Sequence, residues 1–148
     1  MSKDPCEEVL GQYSFSRPSD PPAYYVLRAK HRETSQPFTI KVCHRPTEEL
    51  FRYLSKIKDT KSEYIIRVVE LVRSSDKIVM VCEDISSGTL YSALNKCTRL
   101  EDNDAILIAK ALLQGRIDLL RNDCDWRGSE RDIDVTDSGI KLSWGNGG

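Results

Sequence analysis

Hydrophobic and polar positions along the chain fall into short, separable patterns. YYVLRAK (24–30) and PFTIKVC (37–43) are strand-like runs joined by the polar HRETSQ (31–36), which predicts a β-hairpin. RPTEELFRYLSKIKD (45–59) has helical spacing, with Leu50, Tyr53, Leu54 and Ile57 on one face. Thr47 suits its N-cap, and Glu48 and Glu49 suit the first turn, where the helix dipole favours acids. YIIRVVELVR (64–73) and KIVMVCED (77–84), joined by SSD, predict a second hairpin. SSG (86–88) breaks the chain before a short helix, TLYSALNKC (89–97). A long helix is predicted over 101–123, with a stripe of Ala105, Ile108, Ala109, Leu112 and Leu113 facing a core. Gly115 should weaken that helix by about 1 kcal/mol relative to alanine. DIDVT (132–136) and IKLSW (140–144) predict a last small hairpin, with its turn at 137–139. Residues 14–22, SFSRPSDPP, read as loop, and there is no internal repeat. The order is hairpin, helix, hairpin, short helix, long helix, hairpin, which is an α+β arrangement.

Composition narrows the class. The chain has 148 residues, enough for one domain with a real core, and its 30% charged and 39% hydrophobic residues are ordinary for a globular protein. A net charge of −1 gives no footprint for nucleic acid or an anionic membrane. No apolar run reaches spanning length, and MSKDPCEEVL lacks the apolar centre of a signal peptide, so a cytoplasmic location is expected, with the nucleus as the alternative. Cys6, Cys43, Cys82, Cys97 and Cys124 are odd in number and form no CxxC pair. With only His31 and His44 beside them they argue against zinc and for reduced, packed thiols.

One residue in the strand runs carries candidate chemistry. Lys41 lies between Ile40 and Val42, and a lysine is seldom buried without a partner. It is either the solvent-facing residue of an alternating strand or a positioned cation.

AKHRETSQPFTIKVC (29–43) is similar to the second and third strands of the eukaryotic protein kinase family, whose third strand carries V-A-I-K; here FTIK keeps the isoleucine and the lysine. IIRVVELVRSSDKIVMVCEDISSGTLYSAL (65–94) resembles the family's fourth and fifth strands, hinge and next helix. VTDSGIKLS (135–143) resembles the hairpin before D-F-G. The resemblance covers roughly residues 8 to 145. It implies a kinase-like N-lobe: an antiparallel sheet of about five strands with one inserted helix, followed by a short helix, a long helix and a small hairpin. Residues 1–148 then form a single truncated domain, with N-lobe and hinge over 8–85 and a partial C-lobe over 86–148. It implies that Lys41 is the phosphate-binding lysine, with Glu49 as its carboxylate partner and Glu48 as the other option. Cys82 takes the gatekeeper position, and Glu83, Asp84 and Ile85 form the hinge.

The departures from the family pattern bear on activity. Where a kinase has G-x-G-x-x-G, this chain has LGQYSFSRPSDPPAYYV (10–26), with Gly11 as its one glycine. Pro18, Pro21 and Pro22 remove three backbone donors. Against H-R-D-x-x-x-x-N the chain offers DWRGSERD (125–132), which puts Arg127 or Gly128 at the catalytic aspartate and Asp132 at the asparagine, a weak candidate metal ligand. The D-F-G position reads Trp144, Gly145, Asn146, and the chain stops at Gly148, before any activation segment. Asp132 and Asp134 would share a strand face and are expected to be solvated acids. Trp126 and Trp144 read either as binding anchors or as apolar groups left without cover. The expected function is a non-catalytic pseudokinase-like domain acting as a protein-interaction or regulatory module, with no cofactor. Its expected partner is a protein, a true kinase among the candidates, and neither nucleic acid nor membrane. The alternative is a serine/threonine kinase remnant, or a fragment of a longer kinase, that binds ATP at low affinity.

Overall fold

The computed structural model describes residues 4–85, 87–97 and 99–144. The chain divides into two units, Met1–Lys58 with Val68–Asp84, and Asp59–Arg67 with Ile85–Gly148.

The first unit opens with helix α1 (Pro5–Leu10), a feature absent from the sequence expectations because six residues are too short to show a period. Asp4 caps it by accepting from the Cys6 N–H at 2.9 Å, and Pro5 starts it where no amide bond is lost. There follow β1 (Tyr13–Ser14), β2 (Tyr24–His31), β3 (Pro37–His44), α2 (Glu48–Asp59), β4 (Val68–Arg73) and β5 (Lys77–Cys82). The five strands form one antiparallel sheet in the order β1-β2-β3-β5-β4. The predicted hairpin at 24–43 and the predicted strand 77–84 hold to within two residues. Thr47 caps α2 as expected, accepting from the Leu50 N–H at 3.0 Å. Tyr53, Leu54 and Ile57 form its buried face, with Leu50 half-buried.

Strand alternation sends Leu27, Ala29, Phe38, Ile40, Val42, Val79 and Val81 into one apolar cluster, which α1 and Tyr13 cover through Cys6, Val9 and Leu10. An ion pair ties that cover down. The Lys77 ammonium meets the Glu7 carboxylate at 2.5 Å, and Arg17 reaches the same carboxylate at 3.2 Å. The bond from Lys77 holds the Glu7 carboxyl below its ordinary range.

The second unit corrects two expectations. The predicted strand 64–73 is split. Only its latter part is β4; residues 64–66 run instead beside β7 (Gly139–Leu142), with the Leu142 N–H donating to Tyr64 O at 2.7 Å and the Ile66 N–H to Leu142 O at 2.9 Å. Ile65 and Ile66 are buried there. An unbroken apolar run cannot reveal that its two ends serve different partners. The short helix is α3 (Leu90–Asn95), capped by Thr89, and the long one is α4 (Asp102–Leu120). A short 3-10 turn (Glu130–Asp132) leads into β6 (Ile133–Thr136), which pairs with β7 in the predicted last hairpin. Gly139 closes that hairpin at a φ of 126°, a conformation that favours glycine.

The second correction concerns α4. Ala111, Gly115 and Leu119 are its buried residues, whereas Ala105, Ala109 and Leu113 of the expected stripe are exposed and Ile108 and Leu112 are half-buried. The helix carries apolar side chains all round, so spacing alone could not choose the buried face. Close approach at Gly115 chose it. A Cβ there would lie 2.8 Å from Leu142 Cδ1 and 3.3 Å from the Tyr64 carbonyl oxygen.

Gly115→Ala therefore loses more to crowding than the roughly 1 kcal/mol of helix propensity it gains. Urea titration should show a net destabilisation of about 1–2 kcal/mol, and a truncation at Leu142 in the same chain should recover part of the added loss. For the Glu7–Lys77 pair, the folded-state pKa of Glu7 is depressed. Its contribution is present above the unfolded carboxylate pKa and fades as pH falls through the folded one. Half exposure limits the effect to about 0.2–1 kcal/mol. Melting temperatures taken on descending through the acid range should fall less steeply in Glu7→Gln than in the parent.

Candidate functional site

β3 positions Lys41, and its two neighbours in the sheet are Val26 of β2 and Met80 of β5. The side chain is buried, 3% exposed, which overturns the solvent-facing reading. Thr39, Lys41, Met80 and Cys82 lie on the sheet face opposite the apolar cluster, because Thr39 pairs with Cys82 and Lys41 with Met80 across the ladder. The sheet thus brings Lys41 and the fully buried Cys82 to one face. Glu49 sits in the first turn of α2 and is exposed. Glu48 is committed elsewhere: its carboxylate takes the Arg73 guanidinium at 2.5 Å, which holds the carboxyl below its ordinary range. Glu83 and Ile85 are half-buried, on either side of the unit boundary after Asp84.

The segment matching the glycine-rich loop has a different local structure. Gly11 is the C-cap of α1 in helical conformation, and its N–H donates to the Glu7 carbonyl at 2.9 Å. That amide is spent on ending the helix. Pro18, Pro21 and Pro22 follow it and have no backbone N–H to offer.

In the second unit, Ser129 and Asp132 form a capping box. The Ser129 N–H donates to Asp132 Oδ2 at 3.0 Å, and the Arg131 N–H donates to Ser129 Oγ at 3.4 Å. Asp132 is 1% exposed, and its Oδ1 has no hydrogen-bond partner among the described residues. Asp134 is 3% exposed, so the expectation of two solvated acids is overturned. Nor do the two share a strand face, since Asp132 belongs to the 3-10 turn and β6 begins at Ile133. Asp134 stands opposite Lys141, a buried lysine that donates to the Glu63 carbonyl. Periodicity missed this buried polar group of Asp134, Lys141 and Thr136, because on a short hairpin alternating charges read as a solvated face.

Arg127 is exposed, and the Trp126 ring lies over Gly128, where a Cβ would fall 2.3 Å from Trp126 Cζ2. The Trp126 indole donates to the Ser143 carbonyl at 2.9 Å, and Trp144 is 4% exposed. Trp144 is therefore covered, and Trp126 is half-buried with its indole N–H bonded, against the reading of uncovered apolar groups. Gly145 and Asn146 of the expected D-F-G position lie outside the described residues.

These residues do not fit a nucleotide–magnesium group. The Gly11 amide ends α1, Trp144, which the resemblance sets against the metal-binding aspartate, is a buried indole, and no three His, Cys, Asp or Glu side chains gather into a metal site among the described residues. Asp132 offers one carboxylate oxygen and no convergent second acid.

A five-stranded antiparallel sheet with a helix inserted after its third strand, and a buried lysine on that strand, defines a protein-kinase-like N-lobe. The comparisons agree with the resemblance read from the residues. The chain is similar to a serine/threonine-protein kinase H1 homolog of Pinctada fucata, 28% identical over 109 residues, covering 72% of this chain and 24% of that protein. It is 27% identical over 111 residues to human serine/threonine-protein kinase H2, covering 72% of the chain and 27% of the relative. It also matches CBL-interacting protein kinase 32 of Oryza sativa subsp. japonica at 25% over 113 residues, 71% of the chain and 26% of the relative. The chain thus spans about a quarter of the length of these relatives. Among solved structures, Rad53 residues 1–466 in complex with AMP-PNP superposes with a TM-score of 0.77 at 17% identity, over 91% of this chain and 38% of that one. No protein-family model matches the chain. The chain has a protein-kinase-like fold over 91% of its length and resembles part of serine/threonine protein kinases in sequence.

One test checks the bonded state of the Trp126 indole. Trp126→Phe removes the indole N–H and leaves the Ser143 carbonyl without that donor, at a cost of about 1 kcal/mol. Chemical denaturation should show a lower midpoint with an unchanged slope.

Proposed function

We propose that this chain is a kinase-like domain that works by binding protein and does not transfer phosphate. The observation that carries the reading is Trp144, a buried indole where the family resemblance puts the metal-binding aspartate. Phosphoryl transfer is largely positioning and charge neutralisation by metal and backbone amides. A tryptophan can supply neither a metal ligand nor an anion. Two further features support the same reading: the Gly11 amide is committed to a helix cap, and Arg127 or Gly128 replaces the general base. Loss of a general base alone lowers rates by about 10²–10⁴-fold, and loss of the metal adds several kcal/mol to the barrier.

A second reading, low-affinity ATP binding, draws on Lys41. It is a buried cation on the sheet face away from the apolar cluster, as a phosphate-binding lysine would be.

The two separate in one pair of measurements. Radiolabelled phosphotransfer with magnesium or manganese should give no turnover above buffer, and millimolar ATP should leave the melting temperature unmoved. A ligand bound at 100 times its Kd would add about 2.7 kcal/mol. Turnover that disappears in Lys41→Ala would overturn the main reading, and an ATP-dependent stabilisation without turnover would favour the second.

A further inference from the structure

β1 is two residues long and β2 is eight. Tyr13 pairs with His31 and Ser14 with Lys30, and there their pairing stops. Residues 25–29 therefore have a ladder partner in β3 and none on their other edge among the described residues. The segment that chain order offers to that edge is 15–23, which joins the two strands. It is irregular, and its Pro18, Pro21 and Pro22 have no N–H to give to a ladder. The opening is thus set by residues of the first unit itself. An edge of this kind is a template for one more strand.

Alternation decides what an added strand would meet. Val26, Arg28 and Lys30 point to one face, and all three are exposed. Neither Arg28 nor Lys30 enters an ion pair among the described residues. Both line a cavity of about 380 Å³ at the end of β1, with Ser14, Phe15, Ser16 and Asp84. Asp84 is the one carboxylate in that lining, so the notch holds two cations against one anion. A second copy laid along the same edge would add two more cations, and like charges across a ladder are destabilising. A strand with a carboxylate opposite Arg28 meets that guanidinium directly and Lys30 on the diagonal. Its residue two positions away then faces Val26 and suits an apolar side chain.

We infer that the open edge of β2 over residues 25–29 takes an extended peptide as an added strand, with an acidic residue at Arg28 and an apolar one at Val26. This rests on the reading of the chain as a protein-binding domain. Backbone bonds along the ladder supply affinity, and the Arg28–Lys30 notch selects the side chain. The contact is small and partly electrostatic, so it is weak and salt-dependent.

The probe is a labelled threonine-rich peptide of about eight residues, long enough to cover the open edge, with one glutamate and a valine two positions from it. One control carries lysine in place of glutamate. Another keeps the glutamate but has its backbone amides N-methylated, so that it cannot donate to a ladder. Fluorescence anisotropy with the full chain at low salt should give saturable binding to the glutamate peptide, about tenfold tighter than to the lysine peptide, and none to the N-methylated one. Hydrogen exchange of the parent chain should slow over 25–29 when the glutamate peptide is present. Arg28→Glu with Lys30→Glu should reverse the preference toward the lysine peptide. Both side chains are exposed, so the melting temperature should hold; if that variant fails to fold, hydrogen exchange of the parent chain still decides. Equal binding of the glutamate and lysine peptides, no binding, binding that survives N-methylation, or unchanged exchange over 25–29 would overturn the inference. So would protection of 25–29 that grows with protein concentration in the absence of peptide, since a second copy would then be the occupant. If the peptides fail while phosphotransfer stays absent, only this edge assignment falls. Phosphotransfer activity would instead bring down the reading beneath it.

Discussion

β3 has neighbours on both edges and side chains buried on both faces, and the rest of the first unit is arranged around that constraint. Five consecutive residues, Phe38 to Val42, are 8% exposed or less. A strand buried on both faces needs cover on both. On one face Phe38, Ile40 and Val42 are covered by α1, which the sheet would otherwise leave open. The other face receives Thr39 and Lys41, polar groups whose burial is costly unless they are matched. The central strand thus combines a face that demands hydrophobic cover with a face that demands polar satisfaction. Lys77 serves the first demand indirectly. At the start of β5 it holds Glu7, and through Glu7 it holds the covering helix.

Much of this was legible in the sequence, and the reason is local. Hairpins with polar turns, and a helix with one clear apolar face and a threonine cap, announce themselves within fifteen residues. The α+β class, the antiparallel sheet and the inserted helix followed from those signals. What was not legible depended on choices between equivalent local patterns. Residues 64–73 read as one strand because Ile65 and Ile66 are as strand-like as Val68 and Val69, yet the backbone groups of Tyr64 and Ile66 bond to Leu142 and not to the sheet. α4 read with the wrong face inward because apolar residues surround it. The deciding residue, Gly115, looked like a defect when weighed by propensity and is the point of close approach when weighed by geometry. α1 was invisible because its six residues are helical through a cap, a proline and the core they cover.

The site shows the same division. The position of Lys41 on a strand could be read directly, but its burial could not. A period-2 pattern with apolar residues on both sides fits a half-exposed edge strand as well as a central one. The use of the Gly11 amide in a helix cap was also beyond reach, because the cap requires knowing that residues 5–10 are a helix. Buried carboxylates were misjudged for a related reason. Asp132 is held by the capping box with Ser129, a contact three residues long, while Asp134 is placed by the strand ladder. Spacing of two made them look like companions; the start of β6 between them puts them in different local structures.

The adjacency of Ile40 and Lys41 separates what holds the kinase-like fold from what faces the other side of the sheet. Neighbouring strand residues point to opposite faces, so the apolar cluster and the lysine face can change independently. Each large side chain in that cluster contributes about 1.5–3 kcal/mol by burial, and Ile40, Val42, Val79 and Val81 are all fully buried. Their sum exceeds what binding of a nucleotide at modest saturation adds to folding, a few kcal/mol at most. The sheet therefore does not need the ligand to stand. On the proposed reading, a tryptophan in place of a metal-binding aspartate would remove chemistry while adding buried apolar surface. A fold stabilised on one face of its central strand can lose the function of the other without unfolding, which is why family likeness speaks for architecture here and only the site residues speak for activity.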